Sequence, residues 1–144
     1  MKKRNVFRIL AVLATLFIFS NSLKPANLSS DDSGRIVAVV SWFLELFGKS
    51  VERGELQNIV RKVAHFAEFG LQGTLLLECF DKKIWDRVVY VLFYGLLTAC
   101  TDEFLQVFAE GRGSQIQDVF IDFAGTAAGI LFGCAVWYVW RRRK

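Results

Sequence analysis

The sequence predicts an all-α membrane protein: a bundle of about four transmembrane helices with an extra short interfacial helix in the first outer loop. Three observations predict it. Hydrophobic residues make up 53% of the chain, too large a share for an ordinary soluble domain of 144 residues. Apolar runs of near-bilayer length recur at about residues 6–22, 58–79, 88–108 and 116–140. Lysine and arginine bunch at the two ends and in one turn, which is a topology signal; nucleic-acid binding would want a continuous basic face, and no nucleic-acid partner is expected. The chain reads as one multi-span domain, 1–144.

The elements follow in order. Lys2, Lys3, Arg4 and Arg8 precede an apolar run from Ile9 to Phe19. A basic start and an apolar core also describe a signal peptide. Ser20-Asn21-Ser22 is a weak match to a cleavage site, so a retained first span is the expectation. The only proline, Pro25, and a Ser/Asp cluster follow, with Ser30, Asp31 or Ser33 as expected N-caps. Arg35 to Phe47 is apolar and aromatic but only about 13 residues long, and a span needs about 20. It is expected to lie in the interface or to be partly re-entrant.

The second span opens on Arg61, Lys62, His65 and Glu68 before turning apolar. Asp81, Lys82, Lys83, Asp86 and Arg87 form a charged turn. The third span is clean until Asp102, and the fourth ends in Arg141, Arg142, Arg143 and Lys144. Trp85, Tyr90, Trp137, Tyr138 and Trp140 stand near span ends, where aromatic belts belong. The odd cysteine count, Cys79, Cys100 and Cys134, argues against a disulfide framework or zinc cluster. All three are expected to be small buried apolar residues.

The two ends and the Asp81–Arg87 turn hold 11 of the 18 lysines and arginines. The positive-inside rule therefore places both termini and that turn on the cytoplasmic side of the membrane. Four spans satisfy this; a fifth crossing at 35–47 would put the termini on opposite sides. The polar residues of the spans then collect at one depth, in the outer leaflet: Lys62, His65 and Glu68; Asp102, Glu103 and Gln106; Arg112; Gln117, Asp118 and Asp122. Ionisable groups at such a depth cost several kcal/mol unless they face protein or water, so they mark a candidate site.

Helical spacing refines the picture. Lys62, His65 and Glu68 share a face, as do Asp102 with Gln106 and Asp118 with Asp122. Glu103 points to a different face from Asp102 and is expected to stay partly outside the cluster. Arg61 is expected to meet head groups outside. Gly125, Gly129 and Gly133 form a small-residue ladder on the aspartate stripe. It turns the aspartates inward and also offers a face for a homodimer.

Three motifs in order carry a family resemblance. Arg61-Lys62-Val63-Ala64-His65-Phe66-Ala67-Glu68-Phe69 resembles the (R/K)-K-x-x-H-F-x-E-(Y/F) motif of VanZ-like membrane proteins. Thr101-Asp102-Glu103-Phe104-Leu105-Gln106 resembles their D-E-x-x-Q motif. Arg112 followed by Asp118, Asp122 and Gly125 resembles R…D-(V/L)-x-x-(N/D)-x-x-G, and Phe19 to Pro25, with Ser22, is similar to the family's first-span ending. The resemblance implies a small multi-span bacterial protein of the cell envelope. The family is named from a glycopeptide-resistance cluster associated with teicoplanin.

Three function classes fit these residues. The first is a pocket for an anionic lipid head group, a lipid-linked cell-wall precursor or an envelope-active amphiphile, with Lys62, Glu103, Gln106, Arg112 and Asp122 binding. The second is an enzyme acting on a lipid or lipid-linked phosphate, with His65, Glu68, Asp102 and Asp118 as acid–base groups. A divalent metal on His65, Glu68, Asp102 and Asp118 is compatible with it but is not required by the pattern. No nucleophile motif appears. The third is a purely structural ion-pair network, pairing Lys62 with Asp118 or Arg112 with Glu103. Interhelical polar contacts in membranes average only about 0.6 kcal/mol, so a network of this size is a costly route to stability.

Overall fold

The computed structural model describes residues 3–48 and 51–142, which are all helix and connecting turn. Among the described residues five helices follow one another: α1 Lys3–Ser22, α2 Ala26–Leu46, α3 Arg53–Leu77, α4 Ile84–Gln106 and α5 Ile116–Arg142. Lys2, Arg143 and Lys144 of the terminal basic clusters lie outside the described residues, as does the side chain of Trp140.

Three helices, α1, α4 and α5 as far as Val139, are long and apolar enough to cross a membrane. The fourth expected span, α3, has the length at 25 residues but not the composition. Arg61, Lys62, His65 and Glu68 interrupt its first half, and the apolar segment is confined to the second. The outer surfaces of α1, α4 and α5 expose Leu13, Phe17, Phe93, Leu97, Leu131 and Phe132. So continuous an apolar surface is what a lipid-facing belt requires and what a soluble monomer avoids.

The interfacial segment differs from expectation. Residues 35–47 are the later part of a 21-residue helix that begins at Ala26. Pro25 is its N-cap, with φ −54 and ψ 151. Its extended ψ suits the residue before a helix, and the Ala26 amide donates to the Glu110 carbonyl at 2.9 Å. Ser30, Asp31 and Ser33 consequently lie inside α2 rather than capping it. Spacing alone placed the start too late because the cluster reads as a loop.

α3 is the centre of the bundle and packs against each of the other four helices, most extensively against α5. Small residues make this possible. On the α5 stripe, Gly125 lies against the Phe66 carbonyl and Gly129 against the Gly70 carbonyl. Gly73 lies so close to Thr126 that an added Cβ would sit 2.7 Å from its carbonyl oxygen. The Thr74 hydroxyl joins the seam, within 2.9 Å of both the Gly70 and the Gly129 carbonyl oxygens. Lipid tails are as apolar as leucine side chains, so close backbone packing of this kind holds membrane helices together. The glycine ladder is thus occupied within the chain, by α3, and a homodimer would need another face.

The interior of the bundle is apolar toward one end and polar toward the other. Ala11, Leu76, Leu77, Val91 and Ile130 form the apolar cluster, and Ile18, Phe69 and Ala99 form a second one below the polar end. Of the cysteines, Cys79 is buried as expected and Cys134 partly so, whereas Cys100 is exposed, contrary to expectation. Near the apolar end Arg4 pairs with Asp81 and holds that carboxyl below its usual range. Arg8 Nε donates to the Cys79 carbonyl at 3.3 Å, tying the start of α1 to the end of α3.

Candidate functional site

At the polar end α1 and α4 finish, α5 begins, and the first half of α3 runs alongside. The turn from α4 to α5 is built on Gly111, whose φ of +74 lies in the left-handed region. A side chain there would be strained, and glycine adopts it freely. Arg112 follows immediately and reaches back to the end of α1. Its Nη1 donates to the Asn21 carbonyl at 2.9 Å and the Ser22 carbonyl at 3.3 Å. A helix C-terminus has carbonyls without intrahelical partners, and a cation there satisfies them. The expected Arg112–Glu103 pair therefore gives way to this cap.

Asp102 is the hub. It is fully buried. The Ser22 hydroxyl donates to its Oδ1, Gln106 Nε2 donates to Oδ2 at 2.9 Å, and His65 Nδ1 stands 3.7 Å from Oδ2. One carboxylate thereby links α1, α3 and α4. Gln106 also donates to Glu103 Oε1 at 2.9 Å, and the Gln115 amide donates to Glu103 Oε2 at 2.7 Å. Glu103 is only 3% exposed. Both members of the Asp-Glu pair enter the cluster, against expectation, because the α4–α5 turn folds over the second face and supplies a backbone donor.

Lys62 pairs with Asp118 at 2.7 Å, joining α3 to the first turn of α5. That turn already favours a carboxylate through the helix dipole. Asn21 Nδ2 donates to Glu68 Oε1 at 3.0 Å. Asp122 is fully buried, and neither of its oxygens has a hydrogen-bond partner among the described residues. The His65 imidazole stands beside it, with Nδ1 3.7 Å from Asp122 Oδ1. Ligating atoms of His65, Asp102 and Asp122 all lie within 4.8 Å of one another. The donor set that converges is thus this trio. Glu68 and Asp118, the other carboxylates in the sequence-based metal set, are engaged by Asn21 and Lys62.

A cavity of about 180 Å³ opens onto these groups, lined by Asn21, Lys24, Ile36, Arg61, His65, Glu68 and Arg112 among others. A second hollow of about 20 Å³ continues behind it, between Lys62, His65, Gln106, Arg112, Asp118 and Asp122. Arg61 lines both, so it belongs to the site rather than to the outer surface alone. Burial, and next the like charge of Arg61, lower the pKa of the Arg112 guanidinium. It stays charged at any physiological pH, and two arginines facing one cavity favour an anion between them.

The structure brings together all nine site candidates: Lys62, His65, Glu68, Asp102, Glu103, Gln106, Arg112, Asp118 and Asp122. Gln117 is exposed and lies apart. Asn21 and Gln115 were missed as contributors. The signal for Asn21 was present: with Ser22 it is polar, at the end of an apolar run, at the depth of the other polar groups. A cleavage-site reading drew attention away from it.

Breaking the Lys62–Asp118 pair tests the bundle's tolerance of unpaired charge. Each side chain keeps 27% of its exposure, so solvent moderates the cost. Lys62→Met should lower the thermal midpoint in detergent by an amount equivalent to about 1 kcal/mol, within the range of interhelical polar contacts. Adding Asp118→Asn should recover part of that loss, since it removes the stranded carboxylate. A double variant no more stable than Lys62→Met alone would show that the pair is not coupled.

No curated protein and no solved structure matches the chain. The model of the VanZ/LLP1 family matches residues 7–140, which takes in α2, α3 and α4, most of α1 and α5, and the whole polar end. The chain belongs to the VanZ/LLP1 family.

Proposed function

We propose that the cavity is an outward-facing intramembrane site for the anionic head group of a membrane lipid or a lipid-linked cell-wall precursor. The observation that carries this reading is the convergence of Arg61 and Arg112 on one cavity with His65 and Glu68. Arginine offers a planar fork of donors suited to phosphate oxygens. Arg112 uses Nη1 on the α1 carbonyls, while its Nε has no partner among the described residues.

The reading takes the protein as four spans, α1, α3, α4 and α5, with both termini in the cytoplasm and α2 lying along the outer interface. α3 is about 38 Å long at 1.5 Å per residue, enough to cross the hydrocarbon core. Its charged half is tolerated because Lys62, His65 and Glu68 face protein and cavity rather than lipid. The basic residues at the opposite end agree with the positive-inside rule. α2 contributes Ile36 to the cavity wall, which suits a mouth at head-group depth. Membership of a family named for glycopeptide resistance supports a role at the bacterial cell envelope, within reach of lipid-linked wall precursors. A network that only braced the bundle would satisfy its members, yet the Asp122 carboxylate and Glu68 Oε2 have no hydrogen-bond partner among the described residues.

Native mass spectrometry of the purified protein with defined phospholipids tests the reading. Phosphatidylglycerol should be retained in preference to phosphatidylcholine, and Arg61→Gln with Arg112→Gln should weaken that preference tenfold or more. Equal retention of both lipids, or a preference untouched by the two changes, would refute it.

A further inference from the structure

We propose that His65, Asp102 and Asp122 form a binding site for one divalent transition cation of the Zn²⁺ or Mn²⁺ type, at the floor of the polar cavity. The site goes beyond head-group binding and does not depend on it. Three independent observations lead to it. The first is the geometry of the donors. His65 Nδ1 lies 3.7 Å from Asp102 Oδ2 and 3.7 Å from Asp122 Oδ1. These spacings are too long for hydrogen bonds. They suit ligands around a shared ion, because zinc with ligands at about 2.1 Å in tetrahedral array holds them about 3.4 Å apart.

The second observation is Asp122. Its side chain is 1% exposed and both oxygens lack a partner among the described residues, although it sits beside another buried carboxylate. A buried carboxylate without hydrogen bonds is costly, and two in contact repel. No lysine or arginine among the described residues lies within 4.0 Å of either Asp102 or Asp122. Lys62 is committed to Asp118 and Arg112 to the α1 carbonyls. A cation between the two aspartates answers both deficits.

The third is space and support. The hollow of about 20 Å³ has His65 and Asp122 in its wall, with Arg61, Lys62 and Arg112 also lining it; Asp102 lies outside that wall, 3.7 Å from His65 Nδ1. The hollow has room for a single ion or water molecule. Asp102 is held from behind by Ser22 and Gln106, as ligating carboxylates are held in metal sites. One imidazole nitrogen and two carboxylates match zinc or manganese better than soft metals, which prefer sulfur. The wider cavity leaves a route for water or a phosphate oxygen to complete the coordination.

The test uses the full chain in detergent, stripped with a chelator and dialysed. Zn²⁺ is titrated against a chromophoric chelator and Mn²⁺ is followed by electron paramagnetic resonance. The expected result is one ion per chain and a rise in the thermal midpoint on loading. Asp122→Asn and His65→Gln should each weaken binding tenfold or more and abolish the thermal rise. Glu78→Gln, outside the cluster, should leave both unchanged. Asp122→Asn should fold at least as well as the stripped wild type, since it removes an uncompensated charge, and His65→Gln is an independent second reading. No saturable binding by the wild type, or binding that survives in both variants, would overturn the site. Repeating the phosphatidylglycerol measurement in chelator separates the two readings. Lipid preference without any metal binding removes the cation site and leaves the head-group site. Metal binding without lipid preference does the reverse.

Discussion

Gly129→Leu should abolish the folded bundle. A Cβ at this position runs into the Gly70 carbonyl, and the whole of α3 would have to move to admit it. The Thr74 hydroxyl contact to the Gly129 carbonyl, at 2.9 Å, would be lost with the same displacement. Overpacking in a tight core costs about 1–3 kcal/mol even when side chains can yield. Here the obstacle is backbone on both sides, so the upper end or beyond is expected. Gly133→Ala is the natural control. Its Cβ would meet the Leu77 Cδ2 methyl at 3.0 Å, a group that can rotate away, and Thr74 Cγ2 at an ordinary 3.8 Å. Thermal unfolding in detergent, with size-exclusion chromatography for aggregation, should show loss of the monodisperse species for Gly129→Leu and a shift of a few degrees at most for Gly133→Ala. A well-folded Gly129→Leu protein would mean that α3 and α5 are not packed as described.

Asp102→Ala should cause the second largest loss, and it should act on both stability and binding. The carboxylate holds the end of α1 through Ser22, fixes Gln106, and faces His65. Its removal leaves buried donors without their acceptor, at about 1–3 kcal/mol for a stranded buried group. The Ser22 hydroxyl can turn its single proton to the Ile18 carbonyl, at 3.1 Å, and Gln106 retains Glu103, so the cost should stay below that of Gly129→Leu. Asp102→Asn separates shape from charge. It keeps the side-chain volume and an acceptor for Ser22, so most of the stability should return. Cation binding should not return with it. Recovery of stability by Asn together with full recovery of metal affinity would contradict a charged role for Asp102.

Much of this arrangement was legible before any coordinates. The polar residues of the spans, from Lys62 to Asp122, were sorted to one depth by charge counting and helical spacing, and they do converge. The glycine stripe was read correctly as turning Asp118 and Asp122 inward, because small residues at intervals of four fix which face packs. Three features were not legible, each for a physical reason. Helical spacing lets only one of Asp102 and Glu103 enter the cluster fully, because a single helix has only one inward face. The turn carrying Gln115 provides a second wall that no periodicity encodes. α2 was started nine residues late, since a Ser/Asp cluster reads as loop until Pro25 is recognised as the cap. Arg112 was given a carboxylate partner, whereas the exposed carbonyls at the end of α1 compete for it, and helix ends are invisible to side-chain pairing rules. α3 is the remaining difference. Composition alone does not mark it as a span, because the residues that build the site are the ones that break its apolar run.

The most direct test of an outward-facing head-group site is chemical access to its wall. Ala64 lines the cavity beside His65. In a background with Cys79, Cys100 and Cys134 replaced by alanine, Ala64→Cys should react with a membrane-impermeant maleimide added to intact cells. In purified protein, a short-chain phosphatidylglycerol should slow that reaction, and the matching phosphatidylcholine should not. Labelling only after the cells are permeabilised, or equal protection by both lipids, would contradict an outward-facing anionic site.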